Sequence, residues 1–213
     1  SHGDATFSRD ELCRVVSAAL TRGGKVIIPA FAVGRTQQLV YVLNQMNESG
    51  CLPEVPIFVD SPLSVNATEV FRLHPECFDT EAYEHLRTKG NPFGMDHLVY
   101  IREAAQSKKL NEFAKPCIII SASGMAEAGR IRHHLSHNLG DPRNLVLFVG
   151  YCAEHTLGHL IVSGRNPVNI FGIPHEVKAQ VARIDAFSGH AGRSELLAYV
   201  RSLSGRSEEH TSE

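Results

Sequence analysis

A histidine within a run of small residues is the side chain in this sequence best suited to proton transfer. His190 lies in Ser188-Gly189-His190-Ala191-Gly192, directly before a helical pattern over residues 193–203. An imidazole exchanges protons near neutral pH, and the start of a helix can hold a phosphate oxygen beside it. A histidine packed under small residues can equally be structural, so the residues alone leave both interpretations open.

Three further loops place hydroxyls, glycines or an arginine directly after an apolar run. Ala32-Val33-Gly34-Arg35 follows the run 25–31, and Asp60-Ser61 follows 57–59. Ser121-Ala122-Ser123-Gly124 follows 117–120 and leads to Gly129-Arg130. Such groups at the carboxyl ends of parallel strands are where open α/β sheets bind anionic ligands. Each loop is also compatible with an ordinary strand-to-helix turn.

The order of strand, polar loop and helix predicts the elements that position these loops. We predict helices at 11–20, 36–45 and 65–72, with Ser8 capping the first, and buried strands at 25–31, 57–59 and 117–120. This alternation is typical of βαβ units in a mainly parallel sheet. Residues 74–112 are interpreted as a helical excursion over one sheet edge. Apolar runs at 145–149, 168–171 and 177–181 suggest the sheet of a second domain, with a boundary near 140–145.

Composition narrows the class of protein. The chain of 213 residues has a formal net charge of −2, so any site for a polyanion must be a local patch. No segment is long and apolar enough to cross a membrane, and no complete zinc-ligand spacing occurs. The five scattered cysteines are predicted to be reduced, packed thiols of a cytoplasmic protein rather than disulfide partners.

Together, five segments in the same order resemble the β-CASP branch of the metallo-β-lactamase superfamily. This branch includes ribonuclease J and the endonuclease subunit of the eukaryotic pre-mRNA cleavage and polyadenylation complex. The chain is most similar to its bacterial and archaeal RNA-processing members. The resemblance extends over residues 11–203, and its blocks are 23–39, 60–63, 121–130, 150–158 and 187–191.

The resemblance implies an α/β fold: a mainly parallel-sheet β-CASP cap domain plus part of the C-terminal half of a metallo-β-lactamase (αββα) domain. Residues 11–140 would be the RNA-specificity cap, and residues 141–204 the returning part that carries the Ser-Gly-His-Ala motif. Residues 205–213 contain no apolar side chain and are similar to the translation of a sequencing-adapter oligonucleotide. We therefore expect this tail to be artefactual.

The resemblance further implies that the chain is a fragment of a zinc-dependent RNA-processing hydrolase. Such a ribonuclease, cutting internally, from an end or both, holds RNA between cap and catalytic domain, and two zinc ions promote phosphodiester cleavage. The main zinc ligands would precede Ser1 or follow residue 203, so this fragment is expected to bind no metal and to cleave nothing alone. A homodimer of the parent protein is compatible with the resemblance.

Matching the family motifs residue by residue assigns roles. His190 would act as, or assist, the acid that protonates the leaving oxygen, and Ser188 would lie beside it in the phosphate pocket. The remaining matched residues would line the cap side of the RNA groove: Arg35, Ser61, Ser121, Ser123, Gly124 and Arg130. Gly192 stands where the family commonly has aspartate, a carboxylate that could orient the histidine.

Two alternatives remain at this point. Gly192 favours a non-catalytic RNA-binding or scaffold paralogue of the same family, whereas His190 and the Ser-x-Ser-Gly block favour a catalytic parent. A small-molecule α/β enzyme would need one closed pocket with its own nucleophile and base. No such pair is found in the sequence.

Overall fold

The computed structural model describes residues 2–184, with side chains from residue 9 onward. The predicted catalytic His190, its neighbour Ser188, the predicted helix 193–203 and the tail 205–213 lie outside the described residues.

Helices and strands alternate through most of the described chain. Its helices are α1 (His2–Thr21), α2 (Arg35–Glu48), α3 (Pro62–Leu73), α4 (Thr80–Lys89), α5 (Ala104–Glu112), α6 (Ile131–Asn138) and α7 (Leu157–Val162). Its strands are β1 (Val26–Pro29), β2 (Ile57–Asp60), β3 (Leu98–Ile101), β4 (Ile118–Ser121), β5 (Leu145–Phe148), β6 (Val168–Ile170), β7 (Ile173–His175) and β8 (Gln180–Arg183). A short 3₁₀ turn, Pro75–Cys77, precedes α4.

Six strands form one parallel sheet in the order β3-β2-β4-β1-β5-β8. Alternate residues of β4 enter different cores: Ile118 and Ile120 pack with α1 and α2, whereas Ile119 packs with α6 and α7. Because helices cover both faces, the central strands are apolar except at the last residues of β2 and β4, Asp60 and Ser121. The mainly parallel α/β fold predicted from the sequence is confirmed.

Two strands that the sequence assigned to a separate sheet extend this one. Strand β5 pairs with β1, and β8 pairs with β5, all in parallel. The prediction of a separate sheet after residue 140 was therefore wrong for β5 and β8, because an apolar run does not specify its pairing partner. Strands β6 and β7 form a small antiparallel hairpin of their own.

Two local predictions also need correction: the start of the first helix with its cap, and the purely helical interpretation of residues 74–112. Helix α1 begins at His2 rather than near Glu11, so Ser8 is inside the helix instead of capping it. Residues 74–112 do cover one sheet edge, but they include the edge strand β3.

Cysteines 13 and 51 were predicted to be reduced. The structure pairs Cys13 with Cys51 in a disulfide, with Cα atoms 6.1 Å apart, a separation usual for such bonds. Packing of α1 against the chain after α2 brings them together, a contact between residues 38 positions apart.

None of the helices formed by the described residues combines the length and the apolar character needed to span a lipid bilayer.

Candidate functional site

Three strand ends meet at the carboxyl edge of the sheet and enclose an open cavity. Strand β1 lies between β4 and β5, so the loops that follow these three strands are neighbours. The cavity has a volume of about 290 Å³, and we call it the edge cavity. Its lining residues are Pro29, Ala30, Phe31, Arg35, Gly124, Met125, Val149, Gly150 and Tyr151.

Arg35 supplies the positive charge of the edge cavity. It is the first residue of α2 and follows Gly34, whose φ of 79° is strained for residues with a side chain. Its guanidinium donates to Gln38 Oε1, and no carboxylate among the described residues pairs with it. Partial burial lowers the pKa of Arg35, because leaving water disfavours the charged form. An arginine nevertheless stays protonated at neutral pH.

Backbone donors of the loops complement this charge. The first N–H groups of α2 are occupied, since Arg35 N–H donates to Val33 and Thr36 N–H to Phe31. By contrast, the N–H groups of Gly124, Met125 and Gly150 donate no hydrogen bond to any residue within the described range. These glycine-rich loops therefore offer backbone donors that an anion needs.

The lining of the edge cavity suits binding rather than catalysis. Within the described chain, its only titratable side chains are Arg35 and Tyr151, and it has no carboxylate, imidazole or thiol. Two aromatic side chains border it with large exposed fractions, 52% for Phe31 and 63% for Tyr151. A cation, free amides and exposed aromatic rings together can hold a phosphate and stack a base beside it.

A second group of polar side chains lies at the same edge of the sheet, but it surrounds a buried carboxylate instead of an open cavity. Asp60, the last residue of β2, has a fully buried side chain. Its Oδ1 accepts a hydrogen bond from Arg130 at 2.8 Å. Its Oδ2 accepts from Ser107 at 2.5 Å and lies 2.6 Å from Nε2 of His134. We call these four residues the Asp60 cluster.

The Asp60 cluster joins the ends of several elements. Arg130 also donates to the carbonyl of Arg102, at 2.7 Å, just after β3. Burial alone would raise the pKa of Asp60, but hydrogen bonds from His134, Ser107 and Arg130 outweigh it, so the pKa lies below its usual 3.8. A carboxylate satisfied in this way holds β2, β3 and α6 together.

The serines predicted to contact RNA have local hydrogen-bond roles. Ser61 caps α3 by accepting from Ser64 N–H at 3.2 Å. Ser121 donates to the carbonyl of Asp60 at 2.8 Å, and Ser123 accepts from Ala128 N–H at 3.2 Å. Ser61 and Ser121 are buried. The structure thus brings Arg35 and Gly124 into one cavity and engages Arg130 and the serines elsewhere; their RNA contacts stay predictions.

Sequence reasoning missed Asp60, Ser107 and His134 as a unit. It expected the adjacent His133 and His134 to point in different directions, and the structure agrees: His134 is fully buried, whereas His133 is exposed and stacks near the ring of Phe171. The position of His134 on the apolar face of a helix could have been recognised in the sequence. Its acidic partner, Asp60, is 74 positions away and could not have been identified in that way.

The described residues contain no group of three or more histidine, cysteine, aspartate or glutamate side chains able to hold a metal ion. These residues therefore do not provide a site for the zinc that the resemblance implies for the parent protein.

Comparison with known proteins identifies two family matches. The Beta-Casp domain matches residues 36–161. The Zn-dependent metallo-hydrolase RNA specificity domain matches residues 174–207, which include His190.

Individual relatives agree with these matches. Ribonuclease TTHA0252 of Thermus thermophilus is 37% identical over 191 residues, covering 90% of this chain and 44% of that protein. An RNase J-like protein of Methanocaldococcus jannaschii is 33% identical, covering 91% and 44%. The transcription termination factor FttA of the same organism is 35% identical, covering 91% and 31%. The chain therefore spans less than half the length of these relatives.

Proposed function

The chain belongs to the Beta-Casp family, and from this premise we propose that it is the RNA-holding part of a zinc-dependent RNA-processing ribonuclease. The observation that carries the proposal is the edge cavity: Arg35 lines it together with Gly124, Met125 and Gly150, and among the described residues these three N–H groups have no acceptor and Arg35 has no carboxylate partner. A phosphate of single-stranded RNA would bind there, with its neighbouring bases against Phe31 and Tyr151.

Catalysis is assigned to the intact parent. Among the described residues, the edge cavity has no nucleophile and base of its own, which argues against the small-molecule enzyme. The second family match is described as Zn-dependent; two zinc ions, held by ligands outside the described residues, remain our prediction. In that parent, His190 would protonate the leaving oxygen, with Ser188 beside the phosphate.

The non-catalytic paralogue is the weaker alternative. Two of the similar proteins are named as a ribonuclease and an RNase J-like protein, which supports a catalytic parent despite Gly192. The division into a cap (11–140), a returning part (141–204) and an artefactual tail (205–213) belongs to the same proposal. So do a cytoplasmic location and a homodimeric parent, although the Cys13–Cys51 disulfide is of a kind more usual in oxidising compartments.

Replacing His190 in the parent protein tests the catalytic part of this proposal. Loss of a general acid should lower RNA cleavage by about two to four orders of magnitude, while bound zinc, measured by elemental analysis, stays unchanged. His74→Ala removes an exposed histidine whose side chain pairs with Glu76 and with no other described residue, and it serves as the matched control. Loss of zinc in His190→Ala would mean that this histidine is a ligand rather than the acid.

A further inference from the structure

A second cavity adjoins the edge cavity on the outer side of α2. It has a volume of about 520 Å³ and lies between α2 and the chain from Phe71 to Phe93. Its floor is aromatic: the ring of Phe93 meets the rings of Phe71 and Phe78 edge to face, with centroids 6.1 and 5.7 Å apart. We call this cavity the aromatic groove.

Arg35 connects the two cavities. It lines the edge cavity and also the aromatic groove. Within α2, Gln38 and Tyr41 follow Arg35 at helical spacing and line the same groove. A phosphate held by Arg35 would therefore lie where the two cavities meet. A single RNA strand crossing Arg35 would have one base at the edge cavity and the next at the groove.

The polar groups of the groove favour a base over a phosphate. Asp79 lines the groove and caps α4 by accepting from Ala82 N–H, so its negative charge would repel a phosphate. Asp79 is also exposed, and carboxylate oxygens accept hydrogen bonds from the N–H groups of a base edge.

We propose that the aromatic groove is a base-binding subsite for single-stranded RNA, holding the base next to the phosphate at Arg35. This inference rests on the proposed function, because it takes RNA to be the ligand of Arg35. Phe71 and Phe78 are half-buried and available for stacking, whereas Phe93 is buried. Stacking tolerates any base, so the subsite adds affinity without strong sequence preference.

Abasic substitution in a short RNA tests the subsite on the full 213-residue chain. A fluorescent decauridylate is titrated, with one abasic nucleotide moved along its length. One position should weaken binding about tenfold, as expected for loss of one stacked base. Phe78→Leu, which keeps an apolar side chain, should weaken binding of the intact RNA by a similar factor. It should not weaken binding of that abasic RNA further.

Tyr83→Leu replaces an exposed aromatic residue of α4 outside the groove and is the matched control. If Phe78→Leu leaves RNA affinity unchanged while Arg35→Ala lowers it, the subsite is wrong and the proposed function stands. If Arg35→Ala also has no effect, the proposed function itself fails.

Cys77 offers an independent readout because it lines the groove and is exposed. Of the other cysteines, Cys13 and Cys51 are paired, and Cys117 and Cys152 are buried. Burial also raises the pKa of Cys117 to about 12, which keeps its thiol unreactive. Saturating RNA should slow alkylation of Cys77 by iodoacetamide at least severalfold, and the abasic RNA should not. Equal alkylation rates with and without bound RNA would show that the strand does not cover the groove, and this would overturn the base-binding subsite.

Discussion

Arg35 and Arg130 are matched in sequence but differ in the folded protein. Each directly follows a glycine, Gly34 or Gly129, at the start of the helix that comes after a strand of the sheet. Arg130 binds the buried carboxylate of Asp60, at 2.8 Å, and a neighbouring carbonyl. Arg35 has no carboxylate partner in the described chain and lines a cavity whose loop N–H groups have no acceptor there either.

The difference shows what decides whether a strand-end arginine can bind a ligand. A guanidinium next to a buried carboxylate is already neutralised and hydrogen-bonded, so it serves the fold. One that lacks such a partner keeps its charge available for an anion. The Asp60 cluster is therefore interpreted as structural and the edge cavity as functional, and the following variants test that contrast.

Removal of the buried carboxylate should have the largest effect. Asp60→Ala leaves Arg130 and His134 without their shared partner, and breaking such a buried pair costs about 3–5 kcal/mol. Urea denaturation of the full chain measures the loss. Asp141→Ala is the control, because its pair with Arg143 is exposed and should contribute much less. Similar losses in the two variants would remove the structural role of the cluster.

Replacing each arginine in turn by alanine should separate the effect on protein stability from the effect on RNA binding. Arg130→Ala should lower the free energy of unfolding by about 1–3 kcal/mol, because Asp60 loses a charged donor. Arg35→Ala should change stability by less than about 0.5 kcal/mol. It should, however, weaken RNA binding severalfold and reduce the slope of log affinity against log salt by about 1.

Fluorescence titrations at several salt concentrations measure the slopes, and Arg87→Ala removes an exposed arginine paired with Glu84 as a control. If Arg130→Ala changes the salt slope and keeps full stability, the two arginines have been assigned the wrong way round. Unchanged slopes in both would exclude both from the RNA contact.

Acid should weaken the Asp60 cluster. The pKa of Asp60 is lowered in the folded state, so the unfolded state binds its proton first as the pH falls. The stabilisation is complete above the unfolded value of 3.8 and is lost as the pH falls through the lower folded value. The stability difference between the wild type and Asp60→Asn should therefore shrink below pH 3.8. A difference independent of pH would show that the cluster does not depend on the charge of Asp60.

A methyl group in the edge cavity should have the smallest effect. A Cβ on residue 124 would lie 2.9 Å from Cδ2 of Phe31, a ring exposed enough to move aside, and 3.2 Å from the backbone nitrogen of Phe31, which requires a small shift of the loop. Gly124→Ala should cost less than about 1 kcal/mol in stability but narrow the cavity and weaken RNA binding a fewfold. Gly140→Ala, with open space around the added methyl, is the control. Unchanged affinity in Gly124→Ala would exclude this loop from the phosphate site.

Local patterns in the sequence predicted the parts of the fold that depend on local physics. The central strands are apolar because both faces are buried, and the strand-loop-helix order predicted parallel pairing, as β1, β2 and β4 confirm. The same patterns predicted that Arg35 and Gly124 lie at one edge of the sheet. They misassigned β5 and β8, since the pairing partner of a strand is a long-range contact.

The sequence by itself determined the family, the parallel α/β architecture and the candidate loops, because these follow from the order and spacing of residues along the chain. Only the tertiary structure decided which arginine stays available. The partner of Arg130 is 70 residues away, at the end of another strand. The tertiary structure also forms the aromatic groove, whose walls are separate segments of the chain. Charge neutralisation and cavity shape arise from contacts across space, and local spacing does not encode them.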